Sequence, residues 1–534
     1  MRGDEIALSM TVKERIREMA IILLWGMACW LFFQFFYSYH FFYQEQNQLF
    51  LFSGDYLATY FQKPAWAACM AGDFLTQFYY YRFAGPVILT LTLLVMGDLL
   101  CRSFRQIHNG TWAFGASIVL MTLEAYFFLH HDHRLSSVMA IIIGSILFLF
   151  YALASRRMHP VVRVIFGMSL GIVAYSTAGY GWIVFALFAI VYDIVKKKRL
   201  KWWGCFLILG MIVIAITTTN RSYLLNTTAN LTYPGIAHYA KPDFELEKTL
   251  AVDNEYYFGN WGKVEQLVEG EEHPNEVQLF FYNLVKAQKG ELPDYLLKFS
   301  PNQLGTFYTI GPSTPKLIIN NMNELYWALG DMTLTERAAM MTNVFAPDNR
   351  NIRMMKRLAD CNLVSGDTLA ANKYLNILQQ TWVYSNWARL IKAHDPKTWR
   401  YFIEKKQFVN HADTIRLNDN LHMVMMELLD SNPHNTVALD YILCSTLLLK
   451  DIVNFKRDYD RYCIATGKPR KKPLYQQALM IWLAGTNAPE EDWQKYIHDQ
   501  EQLRRFQEYN NHRGDSRFAG TYWYYFDTAQ VPKI

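Results

Sequence analysis

TWAFGASIVLMTLEAYFFLHHDHRLSSVMAIIIGSILFLFYALA, residues 111–154, sets two long apolar runs on either side of a five-residue polar turn, HHDHR (His130–Arg134). A bilayer span needs about 20 apolar residues, and in lipid a helix satisfies its own backbone. The stretch therefore reads as two spans, 111–130 and 136–154, joined by a short loop. Working outward, the same pattern recurs at 20–42, 84–101, 162–178, 181–195 and 203–219, with a tight turn at Thr177–Tyr180 between the fifth and sixth runs. The expectation is a bundle of about seven transmembrane helices over residues 1–219, with a long first outer loop at 43–83. The first run is long and lacks a small-residue cleavage site, so it reads as a retained helix rather than a signal peptide.

Lys and Arg in the loops orient such a bundle. Lys13, Arg15 and Arg17 precede the first run, Arg102 and Arg105 follow the second, Arg156, Arg157 and Arg163 flank the fourth-to-fifth connection, and Lys196–Lys201 precedes the seventh. With seven spans all of these face one side. The opposite short loops hold only Lys63, Arg82 and Arg134. The N-terminus is expected in the cytoplasm and everything after about residue 220 outside.

The averages of the 534-residue chain conceal this division. Hydropathy is near zero and charged residues are 19%, yet the first 220 residues are apolar blocks and the rest reads as soluble protein. A linker rich in Pro and Tyr, 220–245, carries Asn220, Asn226 and Asn230 in N-x-S/T triplets. From 246 to 534 the pattern is helical. Paired helices are expected at 260–270 with 275–289, 313–329 with 333–346, and 349–365 with 367–380, stopped by Gly290, Gly330, Pro347 and Gly366. Further helices are expected at 434–449 and 474–484, with Gly467 and Gly485 as stops. LYWALGD (Leu325–Asp331) parallels ADCNLVSGD (Ala359–Asp367), and Ala338 parallels Ala370 or Ala371. This spacing resembles tetratricopeptide-type repeats, and an irregular helical domain is the alternative. The fold class is therefore all-α: a transmembrane bundle followed by a soluble, tetratricopeptide-like solenoid domain. The aromatic run Tyr522–Phe526 is expected to pack back on that domain or on the membrane surface.

Some function classes fall away. The net charge of +5 sits largely in orienting loops and gives no nucleic-acid footprint. The seven cysteines form no CxxC pair, which argues against a zinc ribbon or a disulfide framework.

Candidate chemistry sits in the outer loops. The first loop holds three acidic groups, Glu45, Asp55 and Asp73, among apolar and aromatic residues at helical spacing, as in interfacial helices. Asp55 and Asp73 each follow a glycine and can equally serve as helix caps. In the second loop His130, His131 and His133 with Asp132 and Arg134 can ligate a divalent metal ion or bind phosphate. The plain alternative is a polar turn. Glu124 lies inside the third run, where a carboxylate needs a partner or a cavity. Arg82 opens the second run.

Together these features resemble the membrane module of GT-C lipid-linked-sugar glycosyltransferases. That resemblance implies a first acidic position at Glu45 or Asp55 and a second at Asp132; Asp73, Arg82, Glu124 and Arg134 are read from their placement as candidate substrate-binding residues. The segment Glu45…Ser53-Gly54-Asp55…Lys63-Pro64 is similar to the first loop of aminoarabinose- and mannose-transferring members, except that Glu45-Gln46 stands where those have Asp-Glu. The whole chain also resembles an uncharacterised bacterial inner-membrane family that joins such a bundle to a periplasmic tetratricopeptide-like domain. The expected function is glycosyl transfer from a polyprenyl-phosphate sugar at the periplasmic face. The alternative is a membrane-anchored scaffold whose helical domain binds an envelope protein.

Overall fold

The structure is a computed structural model that describes residues 2–108, 110–196, 234, 242–299, 307, 314–346, 349–407, 409, 420–467 and 469–530. The expected seventh span at 203–219, most of the Lys196–Lys201 cluster, the three N-x-S/T triplets, Cys205 and Pro347 lie outside the described residues. Among the described residues there are helices and no strands. The chain divides into two units. One is Met1–Glu247 with Gln379–Ser385, and the other is Lys248–Leu378 with Asn386–Ile534.

The first unit contains α1 (Arg2–Phe35), α2 (Tyr39–Gln46), α3 (Gly54–Tyr60), α4 (Trp66–Thr76), α5 (Ala84–Ile107), α6 (Trp112–Phe127), α7 (Leu135–Ala154), α8 (Pro160–Ala178) and α9 (Gly181–Lys196). Among the described residues, four stretches are long and apolar enough to cross a membrane: Glu14–Phe35, Ala84–Ile107, Leu135–Arg157 and Pro160–Ala178. Six of the seven expected runs fall among the described residues, and two of those six are corrected to helices too short to count. The third and sixth runs form α6 and α9, each 16 residues. At 1.5 Å per residue such a helix is about 24 Å long, short of a hydrocarbon core of about 30 Å. The apolar run at 111–130 overstated α6 because Phe128 and Leu129 belong to the turn that follows it.

Helices α5, α7 and α9 supply much of the interior, with Leu89, Leu93, Met96, Val138, Phe148, Phe185 and Ala189 buried. Leu23, Leu24, Leu91, Val119, Leu153 and Ile172 are exposed, as expected of faces that meet lipid rather than water. Two glycines let backbones meet: a Cβ on Gly144 would sit 2.3 Å from the Gly181 carbonyl oxygen, and one on Gly181 would sit 2.1 Å from the Ala140 carbonyl oxygen. Small residues commonly permit such contact in membrane bundles. Pro160 opens α8 at a position whose N–H needs no helical partner.

The late segment Gln379–Ser385 completes the first unit. Phe52 N–H donates to the Gln380 carbonyl at 2.8 Å. Trp382 packs its ring on Phe52 and Phe78, and Tyr384 meets Tyr80.

The second unit continues with α10 (Phe244–Tyr257), whose first turn belongs to the first unit, then α11 (Trp261–Glu269), α12 (Glu276–Gln288), α13 (Leu292–Tyr295), α14 (Lys316–Leu329), α15 (Met332–Phe345), α16 (Ile352–Ser365) and α17 (Thr368–Leu378). After these come α18 (Ser385–Lys392), α19 (Pro396–Lys406), α20 (Leu421–Ser431), α21 (Thr436–Leu448), α22 (Ile452–Tyr459), α23 (Pro473–Gly485), α24 (Glu490–Tyr496), α25 (Gln500–Asn511) and α26 (Tyr522–Thr528). Helices α14 to α17 each pack on the next, as the paired-helix pattern anticipates. Gly330 and Gly366 take φ of +79° and +86° to end α14 and α16, a conformation that costs glycine little. Asp331 and Asn351 cap the starts of α15 and α16 by accepting from Leu334 N–H and Met354 N–H.

Beyond these pairs, α12 packs against α14 and α21. Every residue from Val277 to Ala287 and from Ala438 to Leu448 is buried. Such a long-range core is something that a one-dimensional stack of repeats does not need. The C-terminal aromatics pack back on it, with the Tyr522 and Tyr525 hydroxyls donating to the Leu447 and Leu448 carbonyls at 2.8 Å.

A buried charge network ties three helices of this unit together. Arg353 on α16 donates to both oxygens of Asp253 on α10, at 2.9 and 3.1 Å, and to Glu324 on α14. Arg357 pairs with the other Glu324 oxygen at 2.5 Å. Burial, the largest effect, pushes Asp253 up in pKa despite Arg353. At Glu324 burial also pushes up, but two guanidinium groups outweigh it and hold the carboxylate below its usual range.

Candidate functional site

The candidate site is built on α2, the eight-residue helix that follows α1. Its first turn is capped from far along the chain. The Glu247 carboxylate accepts from the backbone N–H of Tyr39 and, at 3.2 Å, from that of His40. A carboxylate at this end of a helix satisfies orphan donors and complements the helix dipole. His40, Phe41, Phe42, Glu45 and Gln46 are all buried. Phe41 lies over Gly85 so closely that a Cβ there would come within 2.6 Å of its ring, and it meets Tyr79 edge to face at 4.9 Å.

Glu45 is 2% exposed and accepts a hydrogen bond from the Gln46 side chain at 2.8 Å. Among the described residues no cation pairs with it. Burial pushes its carboxyl up to about 8, the Gln46 bond offsetting only part of the effect. Several polar atoms on neighbouring residues are buried without a hydrogen-bond partner among the described residues: Gln44 Oε1, Gln46 Oε1, Gln77 Oε1 and the Tyr79 hydroxyl. Buried polar atoms are ordinarily paired, so such a concentration marks a place that accepts water or a ligand.

The other candidate carboxylates are held differently. Asp55 is exposed in the first turn of α3. Asp73 on α4 accepts from the Tyr60 hydroxyl at 2.8 Å. Glu124 on α6 is buried and lies 2.9 Å from His133 Nε2. Asp132 is exposed, with Oδ2 3.3 Å from His131 Nε2.

The five residues of the HHDHR turn therefore divide. His133 turns inward to Glu124, with its ring edge-on to Phe128 at 4.6 Å. His130 and His131 stack at 4.9 Å with planes 15° apart. The ligand atoms of His130, His131 and Asp132 all lie within 4.8 Å of one another. Burial pulls the His131 pKa down, with Asp132 partly offsetting it. Gln44 on α2 clasps the turn, donating to the His131 and His133 carbonyls at 3.0 Å each. Arg134 is exposed just before α7. Arg82 is exposed as well, lying over the Tyr39 ring and 3.4 Å from its hydroxyl.

Three contributors carried no signal local enough to find: His40, Glu247 and the segment Gln379–Ser385. Glutamines 44 and 46, flanking Glu45 within an aromatic run, were a visible cue that this helix is more than an interfacial one.

A family model described as a family of unknown function (DUF6057) matches residues 14–529. No curated protein and no solved structure matches the chain.

Proposed function

The chain belongs to DUF6057, a family of unknown function, and on that premise we propose that it is a membrane-embedded, GT-C-like glycosyltransferase using a polyprenyl-phosphate sugar. In this reading the bundle lies in the bacterial inner membrane with its N-terminus in the cytoplasm, and the tetratricopeptide-like second unit is periplasmic. The observation that supports it is Glu45: a carboxyl fully buried with no cation paired to it among the described residues, and pushed up by burial to about 8. A general base works best when its pKa lies near the working pH, and burial is a usual way of raising a carboxyl that far. Glu45 takes the proton of the acceptor hydroxyl as that oxygen attacks the anomeric carbon. The bond from that carbon to the phosphate oxygen breaks, and the polyprenyl phosphate departs with the electron pair. Arg82 and Arg134 are the cations suited to the departing phosphate.

A second reading has its own support. Asp55 and Asp132 are exposed, and no hydrogen bond or ion pair joins either to Glu45. That favours a membrane-anchored scaffold whose helical domain binds an envelope protein. Complementation of a deletion strain separates the two. Loss of the cellular role and of a surface glycan in Glu45→Gln, at normal membrane abundance, supports the enzyme. Full complementation by both Glu45→Gln and Asp132→Ala leaves the scaffold.

A further inference from the structure

We propose that His130, His131 and Asp132 form a divalent transition-metal site at the turn between α6 and α7. Two imidazoles and a carboxylate are the donor set that zinc and its first-row neighbours prefer, whereas magnesium and calcium favour oxygen alone. The three ligand atoms lie within 4.8 Å of one another, so small side-chain rotations bring them onto one ion. Three protein ligands leave coordination positions for water or for an anionic oxygen, as in open rather than structural zinc sites.

Two further observations distinguish this turn from a merely polar loop. Gln44 holds the His131 and His133 carbonyls at 3.0 Å, fixing the backbone from which the ligands project. His40 is 1% exposed, and neither of its ring nitrogens has a hydrogen-bond partner among the described residues. Its Nδ1 lies 3.6 Å from Glu247 Oε2. His40 thus adds a buried imidazole on the helix whose Gln44 holds the turn. His133 is outside the set, since its Nε2 faces Glu124.

The inference stands apart from glycosyl transfer, because its test reads metal and not activity. The full chain, made without a histidine tag, purified in detergent and stripped with chelator, is titrated with Co2+ and followed by visible ligand-field absorption. One equivalent should bind, and Zn2+ should displace it. H130A/H131A should weaken binding by at least ~100-fold, beyond what loss of an outer-shell partner does, while H133A keeps it. D132N, at an exposed position where folding is not at stake, should weaken binding by at least ~10-fold. Wild-type protein that binds no cobalt, or D132N with unchanged affinity, overturns the proposal.

Discussion

Glu45→Gln separates chemistry from stability, because the two are expected to move in opposite directions. The folded protein holds the Glu45 proton up to about pH 8, whereas the unfolded chain releases it near 4.5. Between those values the unfolded state binds fewer protons, so stability falls as pH rises. Each pH unit above 4.5 removes about 1.4 kcal/mol, which amounts to ~3 kcal/mol at pH 7 and levels off above pH 8. Gln has the shape of the protonated acid, can still accept from Gln46, and has no proton to lose. The variant should therefore match wild type near pH 5, exceed it by ~3 kcal/mol at pH 7, and lack the intervening slope. Thermal unfolding of detergent-solubilised protein, followed by tryptophan fluorescence from pH 5 to 9, measures this. Parallel pH profiles for the two proteins would refute the burial argument. A base assignment adds that Glu45→Gln, though more stable, fails to complement. Glu45→Ala should instead lose both function and stability, since it also opens a hole.

The remaining expectations concern other parts of the chain. Arg353→Met should destabilise the second unit by about 3–5 kcal/mol, because Asp253 and Glu324 stay buried with less compensation; adding Asp253→Leu should recover part of it, as a double-mutant cycle by hydrogen exchange would read. Glu124→Ala should lower membrane abundance by stranding His133, while Asp132→Ala, at an exposed site, should not; immunoblotting of membranes compares them. Gly181→Ala should cost about 1–3 kcal/mol by forcing α9 away from the Ala140 carbonyl, visible as a lowered melting temperature. A reporter active only in the periplasm, fused at the C-terminus, should be active; an active cytoplasmic fusion paired with a silent periplasmic one would overturn the proposed topology.

What could be read from the sequence follows the range of the interactions involved. The helix boundaries around Gly330 and Gly366 were legible because a positive-φ residue followed by a capping Asp or Asn is a local signal. The apolar runs were legible by length, but hydropathy counts Phe128 and Leu129 as span when they form the turn after α6. Within HHDHR the composition was plain and the direction of each ring was not. Backbone turns set direction, and here they send His133 to Glu124 and leave His130 and His131 stacked. The cap that Glu247 places on α2 and the Arg353–Asp253 pair join residues 207 and 100 positions apart, beyond the reach of any periodicity.

The segment Gln379–Ser385 gives the protein a timetable. It belongs to the first unit, yet residues 248–378 of the second unit are synthesised before it. At about 5–20 residues per second, the interval between Glu247 and Ser385 leaving the ribosome is roughly seven to thirty seconds. Throughout it Phe52 lacks its Gln380 partner and Trp382 has not yet covered Phe52 and Phe78. The nascent protein thus presents an uncovered aromatic patch until much of its second unit has been made, a window in which a chaperone or a quality-control protease can tell unfinished chains from finished ones.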